Sequence, residues 1–168
     1  EQGKSLDQVV DRASLVTRIS KEGQVLTDVS YFVKNRGNPN FRITLPADTA
    51  LWSALVNGAP VVPVKDQDAN LIPLPQRVDP NSVLKLDLKL AAKSGNASRI
   101  HVAAPIVNAP VMLAEWRLEP DAGQRLMFVN GSLAPVDEAQ DGSGFGQLTR
   151  MFGGIGPAAF AREPILVV

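Results

Sequence analysis

Residues 83–90 read VLKLDLKL, and no other stretch restricts the fold so tightly. Leu84, Leu86, Leu88 and Leu90 recur at every second position, with Lys85, Asp87 and Lys89 between them. Leucine favours helices, but a helix would scatter these four around its circumference. A strand puts all four on one face and the charges on the other. The spacing therefore predicts a half-buried β-strand, which needs a second apolar layer to cover its leucines.

The same period recurs upstream. In residues 9–19, Ala13, Leu15, Thr17 and Ile19 share one face and Ser14, Val16 and Arg18 the other. In residues 25–34, Val29, Tyr31 and Val33 oppose Asp28, Ser30 and Lys34. The turn KEGQ at 21–24 joins these two as a hairpin. Short strands follow at 41–45, 50–56, 61–64 and 70–74. They are divided by the turn cluster NRGNPN, by Pro46 and by Asn57-Gly58, whose two central residues suit a type I′ turn. Pro60 and Pro63 confine the 61–64 segment to a sheet edge. Beyond residue 90, strands are predicted at 99–103, 112–118 and 126–129, with 105–110 as an extended connector. In 112–118, Met112, Ala114, Trp116 and Leu118 fall on the inward face and Glu115 and Arg117 on the outward face. Turn signals every 8–12 residues or so mark an all-β sandwich or barrel.

We therefore expect an all-β fold, an antiparallel β-sandwich of Ig-like or jelly-roll-like kind, over residues 1–104. Residues 105–168 are expected to add a partial second β module, either separate or packed on the first as one unit. That module includes a flexible Gly-rich loop at 136–157, where Gly142, Gly144, Gly146, Gly153, Gly154 and Gly156 surround QLTRMF. At 168 residues the chain is long enough to bury a real core without covalent staples. It opens on Glu1 rather than Met and closes on the strand-like ILVV, so we expect a piece of a longer protein.

The chain contains an internal echo. FRITLP at 41–46 is matched by WRLEP at 116–120. Val56-Asn57-Gly58 with Pro63-Val64 is matched by Val129-Asn130-Gly131 with Pro135-Val136. Repeated turn chemistry alone produces such an echo, as does a complete sandwich followed by the first part of a related module. With its LP…LW…VNG…P…IPL run, residues 25–136 resemble the β-sandwich segments repeated in large envelope-associated bacterial proteins that carry no assigned activity. The resemblance implies a structural or protein-interaction module outside the cytoplasm, periplasmic or on the cell surface. Its partners would be other envelope proteins or other domains of the same chain. It assigns no catalytic residue here.

Composition narrows the chemistry further. Seventeen basic and seventeen acidic residues leave no net charge, so no basic excess exists to hold nucleic-acid phosphates. Cysteine is absent, which removes thiol catalysis, thiolate metal sites and disulfides. No apolar run approaches the roughly 20 residues of a membrane-spanning helix.

His101 is the sole histidine. A nucleophile–base arrangement would need it beside Ser94 or Ser98 and an aspartate, and no G-x-S-x-G elbow is present. Its alternation with Ile100 and Val102 favours an ordinary strand position. Asp66-Gln67-Asp68-Ala69-Asn70 offers oxygen ligands for calcium but lacks the glycine and closing glutamate of a calcium loop, so a solvated turn is expected. Glu115 and Glu119 could imitate a glycosidase pair, but near Arg117 they read as surface ion-pair partners. The run GSGFGQLTRMFGGIGP lacks the Gly-Lys-Ser/Thr of a phosphate loop. Trp52 shares parity with Ala54 and Val56, and Trp116 with Met112 and Leu118, which places both indoles inward. We therefore expect no catalytic, metal or cofactor residue and assign no ligand site. Two other readings stay open: a carbohydrate-binding accessory domain using Trp52, and a hydrolase using His101 near the Gly-rich loop.

Overall fold

The computed structural model describes residues 7–76, 79, 81–96, 98–130 and 165–167. Among them every regular element is a strand, arranged in three sheets. The long strands come from the three clearest period-two segments: β1 (Gln8–Ile19), β2 (Gln24–Asn35) and β8 (Val83–Lys93). They pair antiparallel in the order β1-β2-β8. β4 (Thr49–Val56) then pairs with β8, and β5 (Ala59–Pro60) with β4. On the other side of β1 lies β11 (Ala114–Pro120), which runs parallel to it from Ala13↔Ala114 to Ile19↔Pro120. This parallel pairing departs from the antiparallel expectation, and the large sheet is mixed.

Two smaller sheets cover one face of the large one. The first has the order β10-β3-β7-β6, with β3 (Asn40–Thr44), β6 (Val64–Asp66), β7 (Ala69–Pro73) and β10 (Ile106–Val107). The second has β12 (Met127–Asn130), β13 (Ile165–Val167) and β9 (Arg99–His101), with β13 in the middle. Phe41, Ile43 and Ile72 of the first small sheet pack on Leu15, Val29, Leu84, Leu86 and Leu88. Ile100 and Val102 cover Ile19 and Val25 at the other end. Leu84, Leu86, Leu88 and Leu90 are all buried, as their spacing predicts. Removing such side chains from water, at about 25 cal/mol per Å² of apolar surface, is what holds the layers together.

The opposite face of the large sheet is wet and charged. Arg12 meets Glu115 at 2.5 Å, Arg18 meets Asp28 at 2.7 Å and Glu119 at 3.3 Å, and Lys85 meets Asp87 at 3.0 Å. Each of these strands thus has one dry and one solvated side.

Three local expectations need correction. The return strand predicted at 61–64 is split: Ala59–Pro60 pairs with β4, whereas Val64–Asp66 crosses to the small sheet beside β7. Prolines 60 and 63 leave too few ladder donors for one continuous strand. The connector at 105–110 contains β10, which pairs with β3. Met112 and Ala114 are exposed rather than inward, because β11 begins only at Ala114 and lies at the sheet edge. The type I′ reading of Asn57-Gly58 holds, with φ of 50° and 81°. All of the Gly-rich loop at 136–157, and Gly131 of the second Asn-Gly turn, lie outside the described residues. β10 and β11 join sheets built from the first hundred residues, and β13 pairs with β9.

Candidate functional site

A depression among the described residues opens between the β3–β4 connection, one end of the large sheet and β9. It has a volume of about 280 Å³, near the lower limit of small-molecule sites. Its apolar lining includes Val25, Leu90 and Ala92 from the large sheet and Val102 after β9. Its polar lining brings together Thr27, Asp48, Thr49, Lys93, Ser94 and His101. Alternation along β2 aims Val25 and Thr27 at the same face. The β3–β4 connection supplies Asp48, which holds a left-handed backbone at φ 55°. An aspartate tolerates that conformation better than most residues.

Two residues weighed for nucleophilic chemistry, His101 and Ser94, therefore line one depression together with an aspartate. Their hydrogen bonds do not form a relay. The Ser94 hydroxyl donates to the Asn96 carbonyl at 2.9 Å. Among the described residues no hydrogen bond joins His101 to Ser94 or Asp48. A serine whose proton is held by a backbone carbonyl is not activated by an imidazole. His101 is exposed between buried Ile100 and Val102, as expected of a strand residue. Ser98, the alternative partner, uses its N–H to bind the Asn96 side chain in the adjoining turn.

The other candidates separate. Asp66 pairs with Arg42, and Gln67-Asp68 forms the β6–β7 turn with Gln67 at φ 54°. Asn70 is buried, and its side-chain N–H group lacks a partner among the described residues. No group of three or more His, Asp or Glu side chains converges for a metal ion among the described residues. Glu115 and Glu119 lie on the charged outer face, paired with Arg12 and Arg18 rather than with each other.

The two tryptophans part company: Trp116 turns inward as expected, and Trp52 does not. Trp52 is 67% exposed. The ladder passes from Leu51↔Leu90 directly to Ser53↔Lys89, so Trp52 is the extra residue of a β-bulge. A bulge reverses the side-chain parity beyond it; Leu51, not Trp52, therefore turns inward. Trp116 is half-buried against both core clusters, and its Nε1–H donates to the Thr17 hydroxyl at 2.9 Å. Thr17 is fully buried, with its hydroxyl 2.8 Å from that of Thr27. Parity places Thr17 inward in the sequence, but nothing there identifies Trp116 as its donor.

No family profile and no curated protein matches the sequence. Solved structures do share the fold. The M1 zinc metallopeptidase from Deinococcus radiodurans superposes with a TM-score of 0.58 at 17% identity, over 77% of this chain and 38% of that one. Legionella pneumophila aminopeptidase A, in complex with aspartic acid, gives 0.54 at 15% identity, over 80% and 19%. Native yeast LTA4 hydrolase gives 0.52 at 10% identity, over 79% and 26%. This chain thus spans less than two-fifths of the length of each, and the likeness is one of fold.

Proposed function

We propose that this chain is a non-enzymatic β-sandwich module of a larger bacterial protein, with a structural or protein-interaction role. The observation that carries this reading is where the fold recurs: as a minority part of much longer chains, among them metallopeptidases. As part of a longer protein, this module would support or orient a neighbouring domain and do no chemistry itself. Ser94, bonded to backbone, and Glu115 and Glu119, committed to ion pairs, fit that role. The neutral composition and the resemblance to envelope-protein segments favour an extracytoplasmic setting. The test is to assay the purified chain against aminoacyl reporter substrates, with and without added zinc. We expect no turnover, whereas zinc-dependent turnover by the chain alone refutes the reading. A reporter enzyme active only outside the cytoplasm, fused to the protein encoded by the complete reading frame, tests the location.

A second reading, a carbohydrate-binding accessory domain, is favoured by one observation, the indole that the β4 bulge presents to solvent. Glycan-array binding that is lost in Trp52→Ala would support it, and no binding by the unaltered chain would remove it.

A further inference from the structure

We propose that β11 is a docking edge through which two copies of this chain pair antiparallel about a two-fold axis at Trp116. The inference extends the interaction role proposed above. Its test reads self-association, so it can fail while that reading stands.

Among the described residues each sheet ends in two edge strands, and five of the six are short or blunted. β5 and β10 have two residues each, and β5 carries Pro60. β6 and β9 have three, both with charged or titratable side chains, and β12 has four. β11 has seven, with proline only at its last position. A long edge of this kind templates further pairing unless something covers it.

The backbone parity of that edge is fixed. The Ala13 N–H donates to the Leu113 carbonyl at 2.8 Å, and the Asp121 N–H to the Ile19 carbonyl at 3.0 Å. In a parallel ladder with this register, the odd-numbered residues of β11 bond to β1. Ala114, Trp116 and Leu118 therefore aim their N–H and C=O groups away from β1, toward the edge. No strand among the described residues meets them.

Charge then selects the partner and the register. A two-fold axis at Trp116 sets Trp116 opposite its own copy and Ala114 opposite Leu118, all as hydrogen-bonded pairs. Glu115 falls opposite Arg117 of the second copy, twice, in the closer non-hydrogen-bonded positions. Both residues already hold partners in their own chain, Arg12 in the case of Glu115, and join a wider network. The neighbouring register, centred on Arg117, sets Arg117 against itself and Glu115 against Glu119, which like-charge repulsion disfavours. In the favoured register Met112, 71% exposed, reaches Pro120 of the second copy. The half-exposed Trp116 rings meet on the inner face, where each gains cover. The contact is self-complementary and closed, as a two-fold interface requires.

Sedimentation velocity across micromolar to millimolar concentration tests this. The unaltered chain should form dimers and nothing larger. Ala114→Pro removes an edge N–H at the first residue of the strand and breaks no bond to β1; it should give monomers with the fold retained by circular dichroism. Glu115→Arg and Arg117→Glu should each weaken self-association by about tenfold or more. Mixed together, the two variants should recover a mixed dimer, because every cross-strand pair is again opposite in sign. That recovery cannot come from misfolded protein. The proposal is overturned if the unaltered chain stays monomeric, if open-ended oligomers form, if Ala114→Pro leaves the dimer intact, or if the mixture fails to associate.

Discussion

At the residue scale, Thr17 does the most for its size. Its hydroxyl sits in the seam between the two core clusters, accepting from Trp116 and sharing a hydrogen bond with Thr27. Thr17→Val keeps the shape but leaves the indole N–H and the Thr27 hydroxyl without this partner. We expect a loss of about 1–3 kcal/mol in urea unfolding, with Thr17→Ser retaining more of the stability because it keeps the acceptor. Tyr31, the chain's only tyrosine, offers a second test. Its ring is buried and tilts against Phe41 at a centroid distance of 5.5 Å. Burial pushes its phenol well above the ordinary range, by disfavouring the charged form. With the folded pKa raised above the unfolded value, its contribution is intact below about pH 10 and is lost as pH rises further. Thermal unfolding should therefore show a stability decline above that pH that Tyr31→Phe reduces. Absorbance titration of tyrosinate reads this residue alone.

At the element scale, the β4–β5 hairpin depends on Asn57-Gly58. Both residues hold positive φ, and the Asn57 side chain accepts the Lys85 N–H at 2.9 Å. A Cβ at Gly58 meets nothing within 4 Å, so any penalty is conformational rather than steric crowding by neighbours. Gly58→Ala should cost about 1–2 kcal/mol in equilibrium unfolding, with little change in the rest of the sheet. The type of each long strand was legible because one face is dry and the other wet. The side-chain period records that difference directly, most clearly at the leucines of β8. What escaped the sequence was whatever a bulge or an edge changes. One extra residue at Trp52 inverts parity without leaving a mark in composition. The inward assignment of Met112 and Ala114 failed because alternation cannot tell a central strand from an edge strand. Pairing partners were also hidden: nothing in residues 114–120 announces a parallel neighbour at the start of the chain. Of the depression, the sequence supplied His101 and Ser94 as chemistry-bearing residues. It could not bring Thr27 or Asp48 to them, since that proximity depends on how the β3–β4 connection and β9 pack against the large sheet.

For the whole molecule, the division of labour between faces sets what should matter. The inner face carries the burial and the outer face carries exposed ion pairs, including the Arg18 contacts to Asp28 and Glu119. Arg18→Ala should lower stability by less than about 1 kcal/mol, and added salt should shrink that difference further. A larger effect in urea unfolding would mean that the charged grid holds the sheet together. The parallel union of β1 and β11 has a further consequence during synthesis. Arg12 and Glu115, which meet across it, are 103 residues apart. A ribosome must therefore release the first strand long before its outer neighbour exists, and the nascent β1 flank stays bare while the residues between them are made. This interval is when the growing chain is most open to mispairing and to capture by chaperones.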